Sequence, residues 1–255
     1  MKKILIILFL ALPLTGLSQE DRGKFSRFNF DFKAGTAIPL GPYSNSSTSQ
    51  LVRENPFDPN RQVIGVFTKD GNGFAEPGFF YEGSIIYSFG KRWFIGFLGQ
   101  KFSNPVNLIP VNFLLKEIVP EFNMSQGDYQ GTLLGPMIGF SKTSGLLRYS
   151  ISQAFGSSKL DFPIFKMGYG ENVPWVFTHF YDYEPIKSLF SKTEFKLDYQ
   201  ILPWIKLGGN LSFIYSDFDY SLTLSNVPGG SGFYQFDDTV NLRLLNLGLH
   251  MGIEF

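Results

Sequence analysis

The sequence predicts an all-β chain whose strands close into one antiparallel up-and-down barrel. Three observations predict it. Apolar and polar residues alternate with a period of two along most of the chain, the signature of strands with two unlike faces. The connections between these segments alternate between two or three residues and long stretches. The composition is rich in Phe (29), Tyr (12) and Gly (27) with only 17% charged residues, far more aromatic surface than a water-soluble core of 255 residues needs.

Taken in order, the chain begins with Lys2 and Lys3, an apolar run over residues 4–14 broken by Pro13, and the small residues Gly16 and Ser18. That order predicts a secretory signal peptide over residues 1–18, cut before Gln19 and leaving 19–255 as the barrel domain. No cysteine follows the run for a lipid anchor. Strand one is expected over 26–40, where Phe28, Phe30, Phe32, Ala34, Thr36 and Ile38 alternate with Asn29, Asp31, Lys33 and Gly35. Strand two, 78–89, sets Phe79, Tyr81, Gly83, Ile85 and Tyr87 against Glu82, Ser84 and Ser88. Strand three, 93–103, is apolar on both faces, and strand four, 129–142, contains Pro136. Strand five, 146–156, opposes Leu147, Tyr149 and Ile151 to Arg148, Ser150 and Ser152. Strand six, 188–201, carries Lys192, Glu194, Lys196 and Asp198 on one face; strands seven and eight cover 204–217 and 237–255. Eight strands result, with ten as the alternative if a long connection hides a further hairpin.

Alternation alone also fits a lipocalin, with its apolar face inward. Four features favour the opposite polarity, a transmembrane barrel. Turns at 90–92, 143–145 and 202–203 are short, while the other four connections run from about 20 to about 37 residues, far beyond hairpin length. Short periplasmic turns and long extracellular loops are the pattern of outer-membrane barrels. The polar faces carry both signs in similar number: Asp31, Lys33, Glu82, Arg148, Lys206 and Glu254 join the four charges of strand six. A narrow lumen requires that balance, because an unpaired buried charge is costly. Aromatic residues gather near strand ends, with Phe89, Trp93 and Trp204 beside the short turns and Tyr43, Phe102, Tyr129, Phe155 and Tyr215 near the long loops. These read as two interfacial girdles.

The last feature is the final strand, apolar at every second position from Leu245 to Phe255. An aromatic last residue on such a strand resembles the C-terminal signal read by the outer-membrane insertion machinery. The opening residues 32–41 resemble small outer-membrane β-barrels of Gram-negative bacteria, the OmpA/OmpX-like "porin family" proteins. The resemblance covers about residues 25–255 in pattern and implies an outer-membrane location with surrounding outer-membrane lipid and lipopolysaccharide, and the even strand number is expected to put both mature ends in the periplasm. It implies no particular activity.

The composition excludes several functions. Lys+Arg and Asp+Glu are 22 each, and removal of Lys2 and Lys3 leaves 20 basic against 22 acidic residues, so nucleic acid is not an expected partner. Without cysteine there is no disulfide framework and no thiolate site. Eight strands enclose an interior that side chains fill, so a general diffusion pore is not expected.

Specific function is expected on the long loops, where a protein or glycan partner would bind. Residues 110–119 place Val111, Leu114, Leu115 and Ile118 at i, i+3, i+4 and i+7, with Pro110 at the start and Pro120 beyond the end, a short amphipathic helix. Residues 174–183 hold a dense aromatic run. Residues 218–224 alternate, 228–232 turn, and the chain returns from Phe233, a hairpin standing taller than its neighbours. Asp217, Asp219, Asp237 and Asp238 flank its base without the fixed spacing of a cation loop, so no metal or cofactor site is expected. The two histidines offer little acid–base chemistry: His250 lies on the inward face near Glu254, and His179, with Asp182 three residues on, is the only candidate base. The first expectation is therefore a non-enzymatic structural or interaction protein with no catalytic residue. The alternatives are a surface hydrolase of the lipid A deacylase or protease type using His179, and a narrow pore or transporter for a small solute.

Overall fold

The structure, a computed structural model, describes residues 28–48, 52–55, 58–64, 73–90, 92–118, 122–162, 165–169, 185–225 and 233–255. The expected leader, the aromatic run, His179 with Asp182, and the tip of the last hairpin lie outside them. Strands in chain order are β1 (Phe28–Pro39), β2 (Val52–Asn55), β3 (Asp58–Ile64), β4 (Gly78–Phe89), β5 (Trp93–Asn104) and β6 (Phe122–Gln126). They continue as β7 (Tyr129–Ser144), β8 (Leu147–Asp161), β9 (Phe165–Tyr169), β10 (Ile186–Leu202), β11 (Ile205–Ser225) and β12 (Phe233–Glu254). One helix, α1 (Ile109–Ile118), lies between β5 and β6. No described helix is long and apolar enough to cross a membrane.

Eight strands form a closed barrel in the order β1-β12-β11-β10-β8-β7-β5-β4, sealed by the antiparallel β1–β4 pairing. Each barrel strand pairs with the barrel strands before and after it in the chain, so the topology is up-and-down. The ten-strand alternative is excluded: β2–β3 and β6–β9 form separate two-stranded sheets. The β6–β9 ladder joins the connection after β5 to the connection after β8, a link between two long loops. The short turns share one rim with both ends of the described chain, where the Phe255 amide donates to the Phe28 carbonyl at 2.9 Å. Strand length rises around the wall, from 12 residues in β1, β4 and β5 to 21 in β11 and 22 in β12.

The burial pattern follows the period of two. In β1 Asn29, Asp31 and Lys33 are buried while Phe28, Phe30 and Phe32 are exposed. The same inversion holds in β10, where Lys192, Glu194, Lys196 and Asp198 are buried and Phe195, Leu197 and Tyr199 face outward. A soluble protein does not leave a continuous aromatic and aliphatic wall in water while burying its charges. Closure also pairs the backbone of every wall strand, as hydrocarbon demands. The chain is a transmembrane β-barrel.

Three aromatic residues depart from the girdle expectation. Phe89, Trp93, Trp204, Phe155 and Tyr215 are exposed on the wall, but Tyr43, Phe102 and Tyr129 are buried. Near the long-loop rim the inward face is itself apolar, with Phe80, Phe102, Leu133, Phe190 and Phe218 filling it. Tyr43, in a short 3-10 turn at Gly41–Tyr43, folds over this plug. Its ring lies 5.3 Å from Tyr129, whose hydroxyl donates to the Gly73 carbonyl at 3.0 Å.

Candidate functional site

Beneath the apolar plug the lumen holds a charge network. The fully buried cations are Lys33, Lys192, Lys196 and Lys206, and the fully buried carboxylates are Asp31, Glu82, Glu194 and Asp198, four of each. Their centre is a ring of alternating sign. Lys33 Nζ donates to Glu82 Oε1 at 2.6 Å and to Glu194 Oε1 at 2.5 Å. Lys192 Nζ bonds Glu82 Oε2 and lies 2.9 Å from Glu194 Oε2. The Gln100 side-chain oxygen accepts a further bond from Lys192 at 3.3 Å. Lys33 and Glu82 are direct register partners on β1 and β4, whereas Lys33 and Glu194 meet across the lumen. The ring thus cross-braces strands that are not neighbours.

Toward the short-turn rim the network continues. Lys196 bonds Asp31, and Glu254 receives both Lys206 and Arg148 at 2.9 Å. Arg148 also donates to Ser141 Oγ at 3.0 Å. His250, inward-facing as expected, meets Asp198, with Nε2 to Oδ1 at 3.1 Å but without hydrogen-bond alignment. Asp198, Gly208 and His250 occupy one cross-strand row over β10, β11 and β12. The central position is glycine because a Cβ there would come within 2.0 Å of the Leu197 carbonyl oxygen. The bare backbone lets the two flanking side chains meet.

The long-loop rim is tied together by polar contacts. Arg243 Nη1 lies 2.9 Å from Asp217 Oδ1, and its guanidinium stacks 3.5 Å above the Tyr215 ring. The Tyr215 hydroxyl bonds the other oxygen of Asp217, and Asp219 accepts from Thr239 at 2.7 Å. Asp217 and Asp219 therefore serve the β11–β12 hairpin, and among the described residues no group of three or more His, Asp or Glu side chains is placed to hold a metal. Helix α1 occupies residues 109–118 against the expected 110–119. It buries Val111 and exposes Ile109 and Phe113.

No protein-family model matches the chain, and no curated protein matches its sequence. Among solved structures, Neisserial surface protein A is 10% identical, with a TM-score of 0.45 over 89% of this chain and 97% of its own. Outer membrane protein OprG from Pseudomonas aeruginosa is 10% identical, with a TM-score of 0.44 over 92% and 100%. The outer membrane protease OmpT from Escherichia coli is 7% identical, with a TM-score of 0.38 over 94% and 99%. The membrane assignment stands on this chain's own wall, apolar outside and charged inside. In that wall the sequence-predicted lumen charges are brought together. The contacts that sequence reasoning missed are the Gln100 contribution, the buried Tyr43–Tyr129 cover and the β6–β9 link between loops.

Proposed function

We propose that this chain is an integral outer-membrane barrel with a structural or interaction role and no catalytic activity, working through its long loops. In this reading residues 1–18 direct export and are removed, the short turns and both mature ends lie in the periplasm, and the long loops are extracellular. Outer-membrane lipid and lipopolysaccharide surround the wall, the insertion machinery reads the strand ending at Phe255, and a protein or glycan partner binds the loops. The observation that supports the non-conducting, non-catalytic part is the filling of the lumen among the described residues: a ring of buried Lys33, Glu82, Lys192 and Glu194 lies beneath the buried Phe80, Phe102 and Phe190. His250 is buried within that lumen. The test is single-channel recording of the protein in planar bilayers, with lipid profiling of membranes carrying wild type or His179→Ala. A silent bilayer and unchanged lipids are expected. Steady conductance above leak would favour the pore reading, and a lipid change abolished by His179→Ala would favour the hydrolase.

A further inference from the structure

On the outer wall, Lys101 of β5 is register partner to Thr132 of β7, Thr132 to Lys159 of β8, and Lys159 to Lys187 of β10. Directly opposed residues of antiparallel strands share a face, so these four form one row. All three lysines are exposed, and their chain neighbours Gln100, Phe102, Ser158 and Leu160 are buried. At about 4.8 Å per strand the row spans roughly 15 Å.

The row marks a boundary. Toward the short-turn rim the outward positions are Phe97 and Ile95 below Lys101, Leu134 and Ile138 below Thr132, Ser157 and then Phe155 below Lys159, and Leu189 below Lys187, with the polar Gln153, Ser191 and Thr193 lower on β8 and β10. Toward the long-loop rim they are Ser103, Gln130 and Asp161. The lysines therefore stand between a mostly apolar stretch of outer wall and a polar rim. Lys159 and Lys187 are directly opposed, and like charges so placed repel. None of the three forms an ion pair with a described residue; Asp161 lies one outward position beyond Lys159, and Asp128 accepts a hydrogen bond from Ser103 at 3.1 Å. An anion bridging the row would remove that repulsion. Below Lys101 and Thr132 a groove of about 590 Å³ runs down the wall between Phe32, Tyr81 and Leu134. Over its Gly83 floor an added Cβ meets nothing within 4 Å. A cation at the head of an apolar groove matches an amphiphile with an anionic head.

We propose that this face binds a phosphorylated acyl lipid of the outer leaflet, its phosphate held by Lys101, Lys159 and Lys187 and one acyl chain lying in the groove beneath Lys101. The inference rests on the membrane-barrel reading and names the lipid that the wall selects. The test is native mass spectrometry of the delipidated full-length protein in dodecyl maltoside, titrated with diphosphoryl lipid A, with phosphatidylcholine and inorganic phosphate as separate arms. A one-to-one lipid A adduct is expected, not matched by phosphatidylcholine and not displaced by millimolar phosphate. At about fivefold per lysine, the variant Lys101→Gln/Lys159→Gln/Lys187→Gln should bind roughly a hundredfold more weakly. Gly83→Leu, which fills the groove and leaves the charge, should bind about tenfold more weakly. Folding of each variant is checked by heat-modifiable migration; should the triple variant not fold, Lys159→Gln/Lys187→Gln and a sodium chloride titration of the wild type read the same charge dependence. Unchanged affinity in the lysine variants, equal binding of phosphatidylcholine, displacement by inorganic phosphate, or indifference to Gly83→Leu would each overturn the proposal. A polypeptide soluble without detergent would instead overturn the barrel reading beneath it.

Discussion

Replacing Lys33 by methionine removes one ammonium from the lumen ring at nearly constant side-chain length. Lys33 touches Glu82 at 2.6 Å and Glu194 at 2.5 Å, and all three side chains are essentially buried. At an effective dielectric of 20 each contact is worth about 6 kcal/mol of attraction, most of which is offset by taking the ammonium out of water. The net loss follows from what remains. Two carboxylates are left with Lys192 alone, and the fully buried set changes from four against four to three cations against four anions. Breaking a buried pair on one side only costs about 3–5 kcal/mol. Lys33→Met should therefore destabilise the folded barrel by that amount. Lys33→Met combined with Glu82→Gln removes one charge of each sign and leaves Lys192 on Glu194 at 2.9 Å. The double variant should then cost less than the sum of its parts by about 1–3 kcal/mol. The assay is equilibrium urea unfolding of protein folded in lipid vesicles, read from the fluorescence of the wall tryptophans Trp93 and Trp204. A single-variant cost under about 1 kcal/mol, or strict additivity in the double variant, would refute the claim that the ring acts as one unit.

Further outcomes are expected elsewhere. Gly208→Ala, which drives a Cβ to within 2.0 Å of the Leu197 carbonyl oxygen, should destabilise by more than about 2 kcal/mol and reduce the heat-resistant folded band on unboiled gels. Tyr129→Phe, which deletes the 3.0 Å bond to Gly73, should cost about 1 kcal/mol in the same urea assay. Tyr43→Phe removes a buried hydroxyl that has no partner among the described residues and should be neutral or stabilising by up to about 1 kcal/mol. Burial pushes the Tyr43 hydroxyl well above its ordinary value of 10.0, so the folded state holds this proton after the unfolded chain has released it. Stability from this group is therefore full below about pH 10 and declines as pH rises past it, and Tyr43→Phe should flatten that decline in unfolding curves taken from pH 9 to 11.

The wall was legible because lipid outside and charge inside impose opposite demands on successive residues. Strand positions came within a few residues wherever that alternation is strict, as in β1, β10 and the lower part of β12. The rule weakens where both faces are apolar. Phe102 and Tyr129 lie at strand ends beneath the loops, and end position alone does not distinguish an interfacial ring from one that roofs the lumen. The register of each barrel strand set decides which way they turn. Charge balance was readable by counting, but the pairing was not. Lys33 finds Glu194 only after the sheet closes, 161 residues further along the chain. His250 finds Asp198 rather than its sequence neighbour Glu254 because Gly208 leaves the intervening strand bare. For His179 the sequence offers a candidate without placing a nucleophile beside it.

A lumen filled with hydrocarbon would close the barrel as tightly as this network does, so the charges answer a different requirement. Each wall strand presents an apolar face to lipid, and a one-residue slip in pairing exchanges the two faces along its whole length. With an apolar interior that slip would place aliphatic side chains in lipid on either register, and the alternatives would be nearly equal in energy. With Lys192, Glu194, Lys196 and Asp198 on the inner face of β10, the slipped strand would turn four charges into hydrocarbon. A single Lys or Arg at the bilayer midplane costs about 2–4 kcal/mol, so the two lysines alone set a gap of several kcal/mol against the wrong register. The ring then ties β1 to β10 across the lumen and fixes the inner faces relative to one another. Near the long-loop rim, where Phe190 and Leu160 already face inward, the wall leaves the hydrocarbon and the penalty for slipping fades. There the charged filling gives way to aromatic packing and to the Tyr43 cover, which needs the polar backbone of Gly73 for its anchor through Tyr129.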